Sequence, residues 1–159
     1  MERIDQYQLR VAEVADADAM RALAGIEAEI EAKIEERLAS DICHALVVIE
    51  DDEMVAWAMA RRIEPEGVDD DHAPAGWYLM GVVVGPNHRR KGLGRQLTEA
   101  RLAWLSTRTD CVRYFTKEDN RASVSLHESV GFRRVRDGLS SRSLAFDGGP
   151  FTLFALDLD

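Results

Sequence analysis

GWYLMGVVVGPNHRRKGLGRQLTEARLAW, residues 76–104, decides how the rest of the chain is read. Tyr78 to Val84 is apolar and rich in β-branched residues, so it reads as a buried central strand. Gly85-Pro86-Asn87 stops it, because Pro86 has no N–H for a sheet ladder and Asn87 favours turns. Arg89-Arg90-Lys91-Gly92-Leu93-Gly94 follows. From Leu93 the spacing predicts a helix with Leu97, Ala100 and Trp104 on one stripe, and with Leu102 and Leu105 covering a second face. The first N–H groups of a helix lack internal partners, and the helix dipole adds partial positive charge at that end. Such an end suits a pyrophosphate. Gly92 and Gly94 let a ligand approach the backbone, and Arg89, Arg90 and Lys91 place cations beside it. Taken alone, an RxxGxG run equally describes a glycine turn with a solvated basic patch.

Composition narrows the field. A chain of 159 residues is read as one domain, 1–159, large enough for a real core. A net charge of −9 opposes nonspecific nucleic-acid binding, which needs a basic footprint. No apolar run reaches membrane-spanning length, and MERIDQYQLR has no apolar stretch of signal-peptide type. Cys43 and Cys111 are far apart and form no metal-ligand pattern with the histidines; they read as reduced core thiols, consistent with a cytoplasmic home.

Along the chain, Tyr7 to Val14 reads as a first strand with Tyr7, Leu9 and Val11 on one face. Asp16 or Asp18 caps a helical region to Leu38, which Gly25 divides, with Ile26, Ile30, Ile34 and Leu38 facing inward. Its other face is acidic, from Glu27 to Glu36, and a solvated surface accounts for that. Ala45 to Ile49 and Met54 to Arg61 form a hairpin, and Glu64 to Gly76 an acidic loop. After the central strand and its helix come a strand Cys111 to Thr116, and a short helix capped by Asp119 or Asn120 and ended by Gly131. A strand Phe132 to Arg136 follows, then a loop Gly138 to Pro150. Phe151 to Leu158 alternates, with Phe151, Leu153, Ala155 and Asp157 facing one way, and is a candidate edge for homodimer pairing. This order implies an α/β fold, a mixed sheet with helices on both faces.

Two motifs then carry a resemblance. Val84, Pro86, Arg89, Gly92 and Gly94 stand as V-x-P-x-x-R-x-x-G-x-G after a central strand, and NRASVSLHESVGF spans Asn120 to Phe132. Both resemble segments of the GNAT superfamily of N-acetyltransferases, in the family's order, and the likeness covers nearly the whole chain. It implies a GNAT-like fold: a central, mixed, mostly antiparallel sheet whose central parallel strands splay apart. It also implies acetyl-CoA as cosubstrate and direct attack of a primary amine on the thioester. The pantetheine arm would pair with strand backbone near Met80, Val82, Val83 and Val84. The diphosphate would lie on Arg89, Arg90, Lys91, Gly92, Leu93, Gly94 and Arg95. Asn120 matches a pantetheine contact and serves equally as a helix cap. Ser123 shares a helix face with His127 at i,i+4.

His127 stands where many members carry a tyrosine that protonates the departing thiolate, and it resembles the L-H-E-x-x-G-F form of phosphinothricin-type N-acetyltransferases. An imidazole titrating near ~6.5 can deliver that proton. Tyr78 falls where some members carry a glutamate base, and a neutral phenol is a poor base. Water, Asp119, His88 or an acid of the loop Glu64 to His72 are the alternatives. The resemblance favours a small-molecule amine, against a protein N-terminus or lysine and against a non-catalytic acyl-CoA sensor. The acidic segments Glu27 to Glu36 and Glu64 to Asp71 add the expectation of a cationic acceptor.

Overall fold

The computed structural model of the chain describes residues 6–25, 34–64, 74–117, 119–139 and 151–158. Its strands are β1 (Gln8–Val11), β2 (Cys43–Glu50), β3 (Glu53–Ile63), β4 (Gly76–Val84), β5 (Cys111–Thr116), β6 (Arg133–Leu139) and β7 (Phe151–Asp157). Its helices are α1 (Ala17–Ala24), α2 (Ile34–Leu38), α3 (Leu93–Leu105) and α4 (Arg121–Ser129), with 3₁₀ turns at Val14–Asp16 and Pro86–His88. The seven strands run β1-β2-β3-β4-β5-β7-β6 across the sheet. β4 and β5 are parallel, and the β1–β2, β2–β3, β5–β7 and β6–β7 pairs are antiparallel. The chain divides into two compact units, Met1–Arg61 with Met80–Arg101 and Arg62–Leu79 with Leu102–Asp159.

In the first unit β2 and β3 form a hairpin closed by Asp51-Asp52, whose φ values of 51° and 66° are both left-handed. A two-residue loop of that type matches the natural strand twist, and aspartate tolerates the conformation. Alternation then sorts the hairpin's side chains. Ala45, Val47, Trp57 and Met59 pack with Ala17, Met20 and Ile34, while Leu46, Val48, Ala56 and Ala58 pack with Leu93 and Leu97. Helices therefore cover both faces. The Trp57 indole N–H donates to the Met20 carbonyl at 3.0 Å, which satisfies a buried donor.

Details of this unit depart from expectation. β1 is shorter than Tyr7 to Val14 and exposed along its length, because the chain turns at Glu13, where the Asp16 carboxylate accepts the Glu13 N–H. Asp16 is also held by Arg10, so its side chain is not available to cap α1. α1 does end at Gly25, at φ 82°. Residues 26–33 and 65–73, which hold most of both acidic segments, lie outside the described residues. Of their described members, Glu35 pairs with Arg21, and Glu64 with Arg62 at 3.2 Å.

The buried stripe of α3 is Leu93, Leu97, Arg101 and Leu105 instead of one through Trp104, which stays half-buried. Arg101 is 0% exposed, and its guanidinium donates to the carbonyls of Leu97 and Met59 and to the Thr98 hydroxyl. Burial pushes it down to about 9, still charged at neutral pH. An arginine at a core position is invisible to a reading of apolar periodicity.

In the second unit β7 lies between β5 and β6, with Phe154 opposite Tyr114 on one side and Arg134 on the other. Both its edges are therefore used, and Phe151–Ala155 is buried on both faces. This corrects the expected one-sided alternation and removes the strand as a dimer-pairing edge. β6 runs on to Leu139, past the expected Arg136, and residues 140–150 of the expected loop lie outside the described residues. Phe115 packs edge-on against both Tyr78 and Phe151. Among the described residues no helix is long and apolar enough to cross a membrane, and no His, Cys, Asp and Glu side chains gather to hold a metal ion.

Cys43, half-buried at the start of β2, carries a stability consequence. Burial raises its thiol from 9.0 to about 11. Between those values the unfolded chain has lost the thiol proton and the folded chain keeps it, so stability falls as pH rises through the window, by up to about 2 kcal/mol. Urea melts at pH 8 and pH 11 should show this loss, and Cys43→Ala should reduce it.

Candidate functional site

β4 begins buried and ends half-exposed. Trp77, Tyr78 and Leu79 are buried, Met80, Val82, Val83 and Val84 are half-buried, and Gly81 is exposed. The ladder with β5 has the same limit: it joins Trp77 to Val112 and Tyr78 to Arg113, and among the described residues no later pair is made. Gly81, at φ 64°, bends the strand just past that point. A Cβ there would sit 3.8 Å from the Trp57 ring, so backbone conformation and not space selects glycine. A glycine inside a strand pattern is a bulge signal, and it could have been read from the sequence. At the strand's end the Gly85 N–H donates to the Val55 carbonyl of β3 at 2.8 Å. One side of the strand's end is thus tied to β3, while the β5 ladder has stopped.

The turn follows directly. The His88 N–H donates to the Gly85 carbonyl, and the His88 ring lies 3.1 Å from the Tyr7 hydroxyl and 3.7 Å from the Glu50 carboxylate. His88, a candidate base, is thereby a pin that holds the turn. φ then changes sign through Arg89 (−72°), Arg90 (63°) and Gly92 (85°). Such alternation lets successive N–H groups converge on an anion. The first backbone bond into α3 runs from Gln96 N–H to the Gly92 carbonyl, so the N–H groups of Leu93 and Gly94 lie ahead of it, at the positive end. Arg89, Arg90, Lys91 and Arg95 are exposed around this end. Arg89 Nε donates back to the Val84 carbonyl, and Arg95 pairs with Glu99. Leu93 is 2% exposed and anchors the turn to the core.

The second unit gathers a different set. Asn120 caps α4, its side-chain oxygen accepting the Ser123 N–H at 3.3 Å. His127 is 3% exposed, and its Nδ1 lies 2.8 Å from the Ser123 carbonyl. A carbonyl only accepts, so Nδ1 carries the hydrogen and Nε2 is the nitrogen that gains or loses the second proton. The ring stacks on Tyr114 with centroids 3.6 Å apart and planes within 6°, and meets Phe132 edge-on. The Tyr114 hydroxyl bonds the Ser123 hydroxyl, and burial raises the phenol above its usual range. Tyr114 was not singled out in the sequence, although alternation in CVRYFT puts it on the same side as the buried Val112.

Tyr78 belongs to neither set. It is 0% exposed, and its hydroxyl donates to the Pro74 carbonyl at 2.7 Å. Asp119 is exposed beside the α4 cap.

A profile of the acetyltransferase (GNAT) family matches residues 11–132, from β1 through the end of α4. The chain belongs to that family. Among its relatives, a mycothiol acetyltransferase of Thermobispora bispora is 48% identical over 58 residues, covering 36% of this chain and 19% of that protein. The [ribosomal protein bS18]-alanine N-acetyltransferase of Salmonella typhimurium is 31% identical over 86 residues, 54% of this chain and 51% of that protein. The matched stretches thus span less than two-thirds of either relative. The structure of Arabidopsis thaliana NAA60 in complex with acetyl-CoA superposes with a TM-score of 0.72 at 15% identity, over 96% of this chain and 98% of that one. The GNAT fold is therefore present.

If the Gly81 conformation shapes this site, Gly81→Ala should destabilise the protein by about 1–2 kcal/mol, the strain of a left-handed L-residue, although the Cβ itself has room. Gly81→Asn should lose less. Urea denaturation of the two variants makes the comparison.

Proposed function

We propose that residues 1–159 form a single catalytic domain that transfers the acetyl group of acetyl-CoA to a primary amine, with a small molecule as acceptor. One observation carries the reading: a strand whose ladder stops after Tyr78 leads, through a glycine bend, into a sign-alternating turn at a helix N-terminus. That sequence of features offers strand-like pairing to a pantetheine arm along Val82, Val83 and Val84, and then N–H groups and cations to a diphosphate. Acetyl-CoA in the structurally similar NAA60 complex supports the same cosubstrate. The free thiols Cys43 and Cys111 and the cosubstrate together support a cytoplasmic setting.

In this reading the amine nitrogen attacks the thioester carbonyl, and strand backbone N–H groups near Gly81 receive the developing oxyanion. The C–S bond then breaks, and His127 Nε2 gives its proton to the CoA thiolate. The neutral ring remains, with Nδ1–H on the Ser123 carbonyl. Tyr114 and Ser123 hold that ring in place, and Asn120 orders the first turn of its helix. The proton lost by the amine goes to solvent, because Tyr78 is committed to Pro74. The Salmonella relative favours a second reading, acetylation of a protein N-terminal alanine, and an alanine-initiated peptide belongs in the acceptor panel. Acceptor-dependent thiol release decides between an enzyme and a sensor that binds without turnover.

Two variants test the assignments. Gly94→Trp should fold and should weaken CoA binding in calorimetry by at least ~2 kcal/mol, the scale of lost charge-assisted hydrogen bonds. Unchanged affinity would remove the turn from the site. His127→Phe keeps a ring against Tyr114 but has no proton to give, so kcat should fall about 10²–10⁴-fold with CoA affinity retained. A few-fold loss would leave His127 a packing residue.

A further inference from the structure

Three parts of the first unit that are distant in sequence meet at the turn after β4. Tyr7 comes from the segment before β1, Glu50 ends β2, and His88 stands directly before Arg89. The Tyr7 hydroxyl lies 3.1 Å from His88 Nδ1, and the Glu50 carboxylate lies 3.7 Å from the same nitrogen. Among the described residues no other side chain hydrogen-bonds or ion-pairs with any of the three. The His88 and Glu50 side chains are only 20% and 21% exposed, so water and salt screen their attraction less than on an open surface.

Each partner is itself fixed. The Tyr7 ring packs on the cluster that contains Leu93, the first residue of α3, and on which Val84, the last residue of β4, also packs. It meets the His88 ring edge-on, with centroids 5.9 Å apart. Glu50 stands opposite Glu53 across the β2–β3 ladder, a like-charged pair that a cation beside Glu50 relieves. The His88 main chain is tied down by its N–H on the Gly85 carbonyl.

One ring nitrogen therefore faces two partners of different kinds. A neutral ring with its hydrogen on Nε2 accepts at Nδ1 from the Tyr7 hydroxyl, and it has nothing there to offer a carboxylate, which only accepts. A protonated ring carries a hydrogen on Nδ1 as well and turns it to acceptors, of which the Glu50 carboxylate also balances its charge. The other charged groups nearby are Glu53 and, next in the chain, Arg89, whose Nε is already held by the Val84 carbonyl. Resting on the reading of this turn as the diphosphate site of acetyl-CoA, we infer that Tyr7 and Glu50 are positioning residues for cofactor binding. They fix His88, and with it the turn, in both protonation states of the ring. Tyr7 holds the neutral ring and Glu50 the charged one. The unaltered turn is thereby kept in place across the range in which imidazoles exchange their charge, about pH 5 to 8.

Calorimetry of CoA binding tests this without an acceptor, at about pH 5.5 and about pH 8.5, near the two ends of that range. Comparing each variant with the unaltered protein at the same pH cancels the titration of CoA itself. Tyr7→Phe keeps its ring in the cluster and loses only the hydroxyl. At the higher pH it should bind CoA about fivefold more weakly than the unaltered protein, the scale of one hydrogen bond, and at the lower pH the two should agree within about twofold. Glu50→Gln should show the reverse, with its loss at the lower pH. His88→Phe, a ring without nitrogens, should be weaker at both. Melting temperatures follow stability separately. A loss of equal size at both pH values in Tyr7→Phe is what a merely structural role gives, and it would overturn the inference. So would either Tyr7→Phe or Glu50→Gln matching the unaltered protein at both, with the acetyltransferase reading left intact. Failure of the unaltered protein to bind CoA at either pH would overturn the cofactor reading and the inference together.

Discussion

A parallel ladder that stops after two pairs is the constraint on which the rest of the site depends. Parallel strands buried in a sheet normally satisfy their backbone along their whole length. β4 meets that demand through Tyr78 and then bends at Gly81. The proposed use of that strand end by a pantetheine arm rests on this interruption, and the anchors downstream hold the strand end and the helix start in place. Gly85 is tied to Val55, so the strand cannot swing away, and Leu93 is buried, so the helix start cannot lift off. The turn between them is short and anchored at both ends.

The two motifs, the order of elements and the central strand were legible because each rests on local chemistry. Pro86 ends a ladder, Gly92 tolerates a left-handed backbone, and Asn120 caps a helix; none needs a distant partner to be recognised. What escaped was set by tertiary context. Arg101 is a charged residue in a buried stripe, held there by the Met59 carbonyl from β3. Tyr114 became part of the His127 cluster only when β5 and α4 were placed side by side, and β7 reads as half-buried until β5 and β6 are seen to flank it. Gly81 is the one omission that local reasoning should have caught, since a lone glycine in a β-branched run asks for an explanation.

Charge follows the same division. The net value of −9 says little about the interior, where the described acids near α1 and α2 are paired with arginines or face solvent. Placement, not total charge, leaves the half-buried Arg37 guanidinium without a hydrogen-bond acceptor among the described residues.

The position of β7 also governs how the second unit can be assembled. β6 precedes β7 in the chain, yet the two flanking strands β5 and β6 meet only through β7. When a polypeptide emerges from the ribosome, β5 and β6 are available first and have no native ladder with each other. Each presents an unpaired edge until β7 arrives and threads between them, and non-local pairing of that kind is slow and exposed to misassociation. Sequence order and spatial order are thus out of step at this end of the sheet, where β7 sits inserted between two earlier strands instead of added at an edge.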